Sequence, residues 1–141
     1  MTEDDEAHLR RAIALADTAR EAGDPPFGSL LVDANGSVLN EARNTALTDG
    51  DITAHPELKL ARWAARELEA TTAAATTMYT SCQPCGMCMG AIERSGLGRI
   101  VFALATDQFF TLVPPPTRLT IDMQGPALFD EARLPIDAYY H

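Results

Sequence analysis

The chain has 141 residues, 46% of them hydrophobic and 22% charged, enough for one core of ordinary domain size. It contains no apolar run of ~18 residues, which excludes a membrane-spanning helix. Twenty acids stand against ten arginines and one lysine, Lys59, for a net charge of −9. With no basic run longer than Arg10-Arg11, little is available to neutralise a polyanion, so nucleic acid is disfavoured as a partner and a small molecule is preferred.

In chain order, residues 6–22 place Leu9, Ala12, Ile13, Ala16 and Ala19 on one helical stripe that Gly23 ends. Phe27 to Ala34 reads as a buried strand, and Asn35-Gly36 as a two-residue hairpin turn into a second strand over Ser37–Asn44. Asp51 to Thr53 reads as a loop. A helix is expected to begin near His55, because Pro56 suits its first turn, and to run through Leu58, Leu60, Ala61, Trp63, Ala64 and Leu68. Thr76–Ser81 is expected as a strand, Gly86–Ser95 as a helix and Arg99–Ala105 as another strand. Thr106–Leu112 fits a short helix before the stiff Pro114-Pro115-Pro116. Leu119–Met123 fits a last strand, and Ala127–Arg133 a short helix. No repeat or linker divides the chain, so residues 1–141 are expected to form a single domain. The order of elements predicts an α/β fold, a three-layer α-β-α sandwich around a mixed sheet.

Two short segments carry the chemistry. His55-Pro56-Glu57 precedes Pro84-Cys85-Gly86-Met87-Cys88, with Pro84 standing 27 residues after Glu57. A catalytic zinc takes three protein ligands and keeps its fourth position for water. His55, Cys85 and Cys88 supply three ligands, and Glu57 is left to handle protons. His55 and Cys85 would each open a helix, with Cys88 three residues further along the second, so both sulfurs can address one Zn²⁺. The helix N-termini would favour thiolate over thiol. Cys82 is read as a packed residue at a strand end. Three cysteines are too few for an iron–sulfur cluster, whereas a structural zinc site would need Cys82 as a fourth ligand. The odd thiol and the acidic start, Met1 to Glu6, are expected of a cytoplasmic protein.

Thr53-Ala54-His55-Pro56-Glu57 and Tyr79 to Cys88 resemble the two metal motifs of the cytidine and deoxycytidylate deaminase superfamily. Within it they are most similar to the guanine deaminase, cytosine deaminase and tRNA adenosine deaminase branch. The likeness runs from about residue 5 to residue 110. Two positions depart from the family pattern: Pro56 replaces a usual alanine, and Gln83 replaces a frequent glutamate. The resemblance implies a five-stranded sheet whose first two strands form an antiparallel hairpin. It also implies one Zn²⁺ per chain, a homodimer, and Glu57 as proton shuttle in hydrolytic deamination. Asn44, Phe27 and Ala54 fall where the branch keeps base-contacting residues.

Outside the two motifs the signals are softer. Phe109 and Phe110 read as core or as an aromatic gate on a substrate. Tyr139 and Tyr140 read as a pocket-closing tail or an anchored end. The expected substrate is a free amino-nucleobase or an analogue: guanine, cytosine, isoguanine or an aminotriazine. A tRNA adenosine deaminase is the second reading, and a non-catalytic zinc-binding scaffold the third. Glu57 argues against the scaffold, because a purely structural site has no use for it.

Overall fold

The computed structural model describes residues 1–141 and contains, in order, α1 (Glu3–Glu21), β1 (Gly28–Val32), β2 (Val38–Arg43), α2 (Ala46–Asp49), α3 (Pro56–Glu67), α4 (Ala70–Ala74), β3 (Thr77–Cys82), α5 (Gly86–Ser95), β4 (Arg99–Leu104), α6 (Thr106–Leu112) and α7 (Phe129–Tyr140). The strands form one mixed sheet in the order β2-β1-β3-β4. β1 pairs antiparallel with both β2 and β3, while β3 and β4 run parallel through the crossover helix α5.

Side-chain alternation along the strands builds two cores. Leu30 and Val32 of β1 and Tyr79 of β3 point to one face, where they meet Leu9 and Ala12 of α1. Leu31 and Met78, one step out of phase, point to the other and meet Leu60, Ala61 and Ala64 of α3 and Ile92 of α5. Both faces of β1 are therefore buried, which explains its continuous apolar run Leu30-Leu31-Val32. The three layers are α1, the sheet, and α3 with α5.

Close approach of α1 to the sheet depends on Gly28. A Cβ there would lie 2.5 Å from the Ala12 carbonyl oxygen and 2.5 Å from Leu15 Cβ. The start of α1 is fixed by a capping box in which Thr2 Oγ1 accepts from the Asp5 N–H and Asp5 Oδ2 accepts from the Thr2 N–H. The same carboxylate, with its side chain only 4% exposed, accepts from Tyr79 Oη at 2.6 Å and from both terminal nitrogens of Arg99. Asp5 thus ties the first turn of α1 to β3 and β4. Arg99 first, then the Thr2 N–H and the Tyr79 hydroxyl, hold its carboxyl well below the usual carboxylate range.

Three expectations need correction. The sheet has four strands, not five, because Leu119–Met123 has no strand partner and its apolar residues Leu119, Ile121 and Met123 are each more than 80% exposed. Its alternating pattern suits a strand, but after Pro114-Pro115-Pro116 the chain leaves the outer edge of β4 uncovered. The hairpin is also wider than two residues. The Asp33 N–H donates to the Ser37 carbonyl, and only Gly36 has positive φ, at 83°. A two-residue type I′ turn would need positive φ at Asn35 as well. Asp33 Oδ1 accepts from the N–H groups of both Asn35 and Ser37, which stabilises the wider loop. Finally, the last helix begins at Phe129 and runs through Pro135 to Tyr140, well beyond Arg133. The short helices α2 and α4 occupy stretches whose few turns carry no apolar periodicity.

Candidate metal centre and active site

Helix starts present the chemistry. His55 is the N-cap of α3 and Cys85 the N-cap of α5, both in extended backbone, and neither side chain is spent on capping. Pro56 occupies the first helical position, where an N–H would have had no partner, so its departure from the family pattern costs the helix nothing. Cys88 follows on the first turn of α5 and is fully buried.

His55 Nδ1 lies 3.5 Å from Cys88 Sγ and 3.8 Å from Cys85 Sγ, and one donor atom from each of the three residues lies within 4.8 Å of the others. Zn–S bonds of about 2.3 Å and Zn–N bonds of about 2.0–2.1 Å at the tetrahedral angle would separate sulfur from nitrogen by about 3.6 Å. The two nitrogen–sulfur spacings are those of edges of such a tetrahedron. Burial, followed by the adjoining Glu57 and Cys85, pushes the Cys88 thiol far up, so its thiolate would form only with a cation beside it. Cys82 is buried and its thiol is likewise raised by burial. It belongs to the cavity wall and is not among the three clustered ligands.

Glu57 sits on the first turn of α3, 5% exposed, and reaches the sheet. Its Oε1 lies 2.9 Å from Thr80 Oγ1 on β3 and 3.1 Å from Ser29 Oγ on β1. Neither hydroxyl was singled out by sequence, since serine and threonine within strands are ordinary. Glu57 and His55 open onto a cavity of about 250 Å³ that is walled by Phe27, Phe109, Phe110 and Arg118. Phe27 and Phe109 have ring centroids 5.7 Å apart, and Phe109 and Phe110 5.4 Å, all three tilted against one another.

Gln83 holds this aromatic wall in register. Its N–H donates to the Leu104 carbonyl and its Oε1 accepts from the Thr106 N–H, joining the loop before Cys85 to the start of α6. A glutamate there would offer the same acceptor, so this departure preserves the connection. Arg118 was also missed by sequence. It reaches the cavity from the proline-rich arm, where no periodicity marks a side chain.

The other substrate-contact candidates stand outside this wall. Asn44 is buried at the end of β2, with its N–H donating to the Phe27 carbonyl and its Oδ1 accepting from the Ala46 N–H. The Ala54 carbonyl accepts from the Thr45 N–H, and its side chain is buried. Neither residue lines the cavity. Tyr139 and Tyr140 form an edge-to-face pair at the end of α7, 82% and 71% exposed, and the cavity wall does not include them.

Comparison with known proteins gives a consistent result. The cytidine and deoxycytidylate deaminase zinc-binding region matches residues 2–104. A probable cytosine deaminase of Schizosaccharomyces pombe is 35% identical over 99% of this chain and 94% of its own length. A tRNA-specific adenosine deaminase of Haemophilus influenzae is 37% identical over 72% of this chain, a match that spans 58% of that relative. The X-ray structure of guanine deaminase from Bacillus subtilis superposes with a TM-score of 0.80 at 30% identity, covering 99% of this chain and 94% of that one. With the His/Cys/Cys cluster and Glu57 in place, the chain belongs to the cytidine and deoxycytidylate deaminase family and is a deaminase of that superfamily.

Proposed function

We propose that this protein is a zinc-dependent hydrolytic deaminase of a free amino-nucleobase or close analogue, of the guanine, cytosine, isoguanine or aminotriazine type. One observation carries the reading: a cluster of three metal-ligating side chains, of which His55 and Cys85 face one small, aromatic-walled cavity, has the buried carboxylate of Glu57 opening onto that same cavity. A flat heteroaromatic ring suits walls made of Phe27, Phe109 and Phe110. His55, Cys85 and Cys88 would hold one Zn²⁺ per chain, and when bound it supplies the Lewis acidity that makes water nucleophilic near neutral pH.

Glu57 does the proton work. It takes one proton from the attacking water and delivers it to the ring nitrogen beside the amidine carbon, as a C–O bond forms there. It then moves the remaining hydroxyl proton of the tetrahedral carbon to the amine. The C–N bond breaks, ammonia leaves, and a ring carbonyl remains with Glu57 returned to its starting state. Transfers of this kind contribute typically about 10²–10⁴-fold. Phe27 of the cavity wall is assigned to the base, and Asn44 and Ala54, which lie outside that wall, are assigned to its edge on the family resemblance, Asn44 having an Nδ2 that makes no protein hydrogen bond.

Likeness to the Haemophilus influenzae enzyme favours tRNA adenosine deamination as the second reading. The net charge of −9 weighs against it, because phosphate contacts need a basic surface. We further propose that residues 1–141 act as a single domain, in the cytoplasm, where thiol ligands stay reduced. The protein would be a homodimer in which the C-terminal arm, with Tyr139 and Tyr140, docks on the second copy. The arm's support is that no residue after Val101 is buried within its own chain. An apolar recess lined by Ile13, Leu104 and Leu112 stands open to receive such an arm.

The test is ammonia release by zinc-loaded protein from guanine, cytosine, isoguanine, ammeline, adenine, cytidine and guanosine, with Glu57→Gln as blank. Turnover of one or two free bases that falls by about 10²–10⁴-fold in Glu57→Gln, with zinc retained, is expected. A Glu57→Gln variant turning over at the wild-type rate would sink the mechanism. Silence across the panel, with deamination of an anticodon stem-loop, would move the substrate to tRNA.

A further inference from the structure

Two hydroxyls on neighbouring strands converge on one oxygen of Glu57. Ser29 of β1 and Thr80 of β3 are directly paired across the sheet, and both are fully buried. Ser29 Oγ lies 2.7 Å from Thr80 Oγ1, and each lies near Glu57 Oε1, at 3.1 and 2.9 Å. Each hydroxyl has one proton to give. An oxygen pair at 2.7 Å has the ordinary length of an O–H···O hydrogen bond, so a proton must lie between the two hydroxyls. Of the two assignments that satisfy this, the shorter contact to Glu57 selects the one that sends the Ser29 proton to Thr80 Oγ1 and the Thr80 proton to Glu57 Oε1.

The other carboxylate oxygen is placed differently. Oε2 accepts from no protein N–H or O–H group, yet it is not sealed in the core, because the one buried side-chain nitrogen or oxygen without a partner is Arg43 Nε. Glu57 lines the cavity that His55 and Cys85 also face. Hydroxyls at these two strand positions carry a desolvation cost that alanine and valine of similar shape would avoid, unless the hydroxyls are used.

We propose that Ser29 and Thr80 are positioning residues for the proton shuttle, pinning Glu57 Oε1 against the sheet so that Oε2 is the oxygen that meets water and substrate. The proposal rests on the deaminase reading given above. It makes proton transfer a matter of one fixed oxygen, and a carboxylate free to swing loses this. Misplacement by about 1 Å can cost about a hundredfold in rate.

The decisive comparison is Thr80→Val, which keeps the shape and removes the donor, against Thr80→Ser, which keeps the donor. On the base that the wild type deaminates, Thr80→Val is expected to lower kcat by about ten- to a hundredfold. KM should stay within about twofold, as for loss of an interaction made in the transition state alone. Zinc content should remain at the wild-type level. Thr80→Ser should recover kcat to within about threefold, and Ser29→Ala should lose at least about threefold.

A second readout does not need turnover. The carboxylate infrared band of Glu57, identified as the one missing from Glu57→Gln, should shift in Thr80→Val and stay in place in Thr80→Ser. Equal kcat in Thr80→Val and wild type, equal losses in Thr80→Val and Thr80→Ser, or an unmoved band would each overturn the proposal. If no base is deaminated by the wild type, the deaminase reading fails while the band still decides whether the clamp exists. Should Thr80→Val fail to fold, Ser29→Ala and Thr80→Ser decide on the same criteria.

Discussion

Helices α3 and α7 are both 12 residues long, and they meet opposite fates. α3 buries Pro56, Glu57, Leu60, Ala61 and Ala64 against the sheet and α5, and its first turn delivers the proposed proton shuttle. α7 carries an apolar stripe of its own, Phe129, Ala132, Ile136 and Tyr140 at helical spacing, and buries none of it. Phe129 is 73% exposed and Ile136 55%. An amphipathic stripe therefore tells that a helix face is to be covered, without telling what covers it. For α3 the cover is encoded in the same chain, between β1 and α5. For α7 the chain leaves that face exposed.

The comparison is broken most severely at the metal ligands. Cys88 is fully buried in α5, against the α3 side of the sheet, and would share a metal ion with His55, the N-cap of α3. Cys88→Ala should abolish stoichiometric zinc, measured by atomic absorption, and lower the unfolding midpoint of the body. Metal affinity of this kind is folding free energy, worth on the order of 10 kcal/mol in small zinc domains, and less in a chain that also has a core. A variant that keeps its zinc and its midpoint would remove Cys88 from the ligand set.

The Asp5 cluster is the next most sensitive point of the body. Arg99, the Thr2 N–H and the Tyr79 hydroxyl depress the carboxyl pKa in the folded chain. A depressed folded value contributes stability above the unfolded value of about 3.9 and loses it as pH falls below that. Asp5→Asn should accordingly melt lower than wild type at pH 7, and the gap should narrow as the pH approaches 3. Thermal unfolding across that range measures it. Acid release of metal affects both proteins alike and cancels in the difference. A gap that is constant with pH would mean that the Asp5 charge is not what the cluster uses.

What sequence made legible follows the same division. The bounds of α5 and the end of α6 were readable because Pro84 and Gly96 flank the one and Pro114-Pro115-Pro116 follows the other. His55, Cys85 and Cys88 were readable as a group because their donor chemistry is rare and their spacing suits two helix starts. Ser29 and Thr80 were not, since a hydroxyl in a strand becomes informative only when cross-strand pairing sets it beside Glu57. Arg118 was hidden in the arm, where a proline run sets direction and no period sets side-chain orientation. Leu119–Met123 failed in the opposite way: its alternation was read correctly as strand-like, but pairing is a property of two strands, and only one was visible. Tyr139 and Tyr140 share that fate, ending a helix whose residues the chain leaves unburied.

The smallest effect expected on the body, and the sharpest on the arm, comes from Phe129→Asp combined with Ile136→Asp. Both side chains are mostly in solvent, and exposed substitutions away from caps and cores change stability by no more than about 0.5 kcal/mol. Zinc content should stay at one ion per chain. If the arm docks on a second copy, two carboxylates on that stripe would be buried without partners, at a cost far above what surface substitutions carry. Sedimentation equilibrium at micromolar concentration should then show two chains for the wild type and one for the variant. A wild type that sediments as a single chain would remove the homodimer and leave α7 with no assigned cover. A variant that remains dimeric would place the interface elsewhere, with the uncovered edge of β4 the next surface to probe.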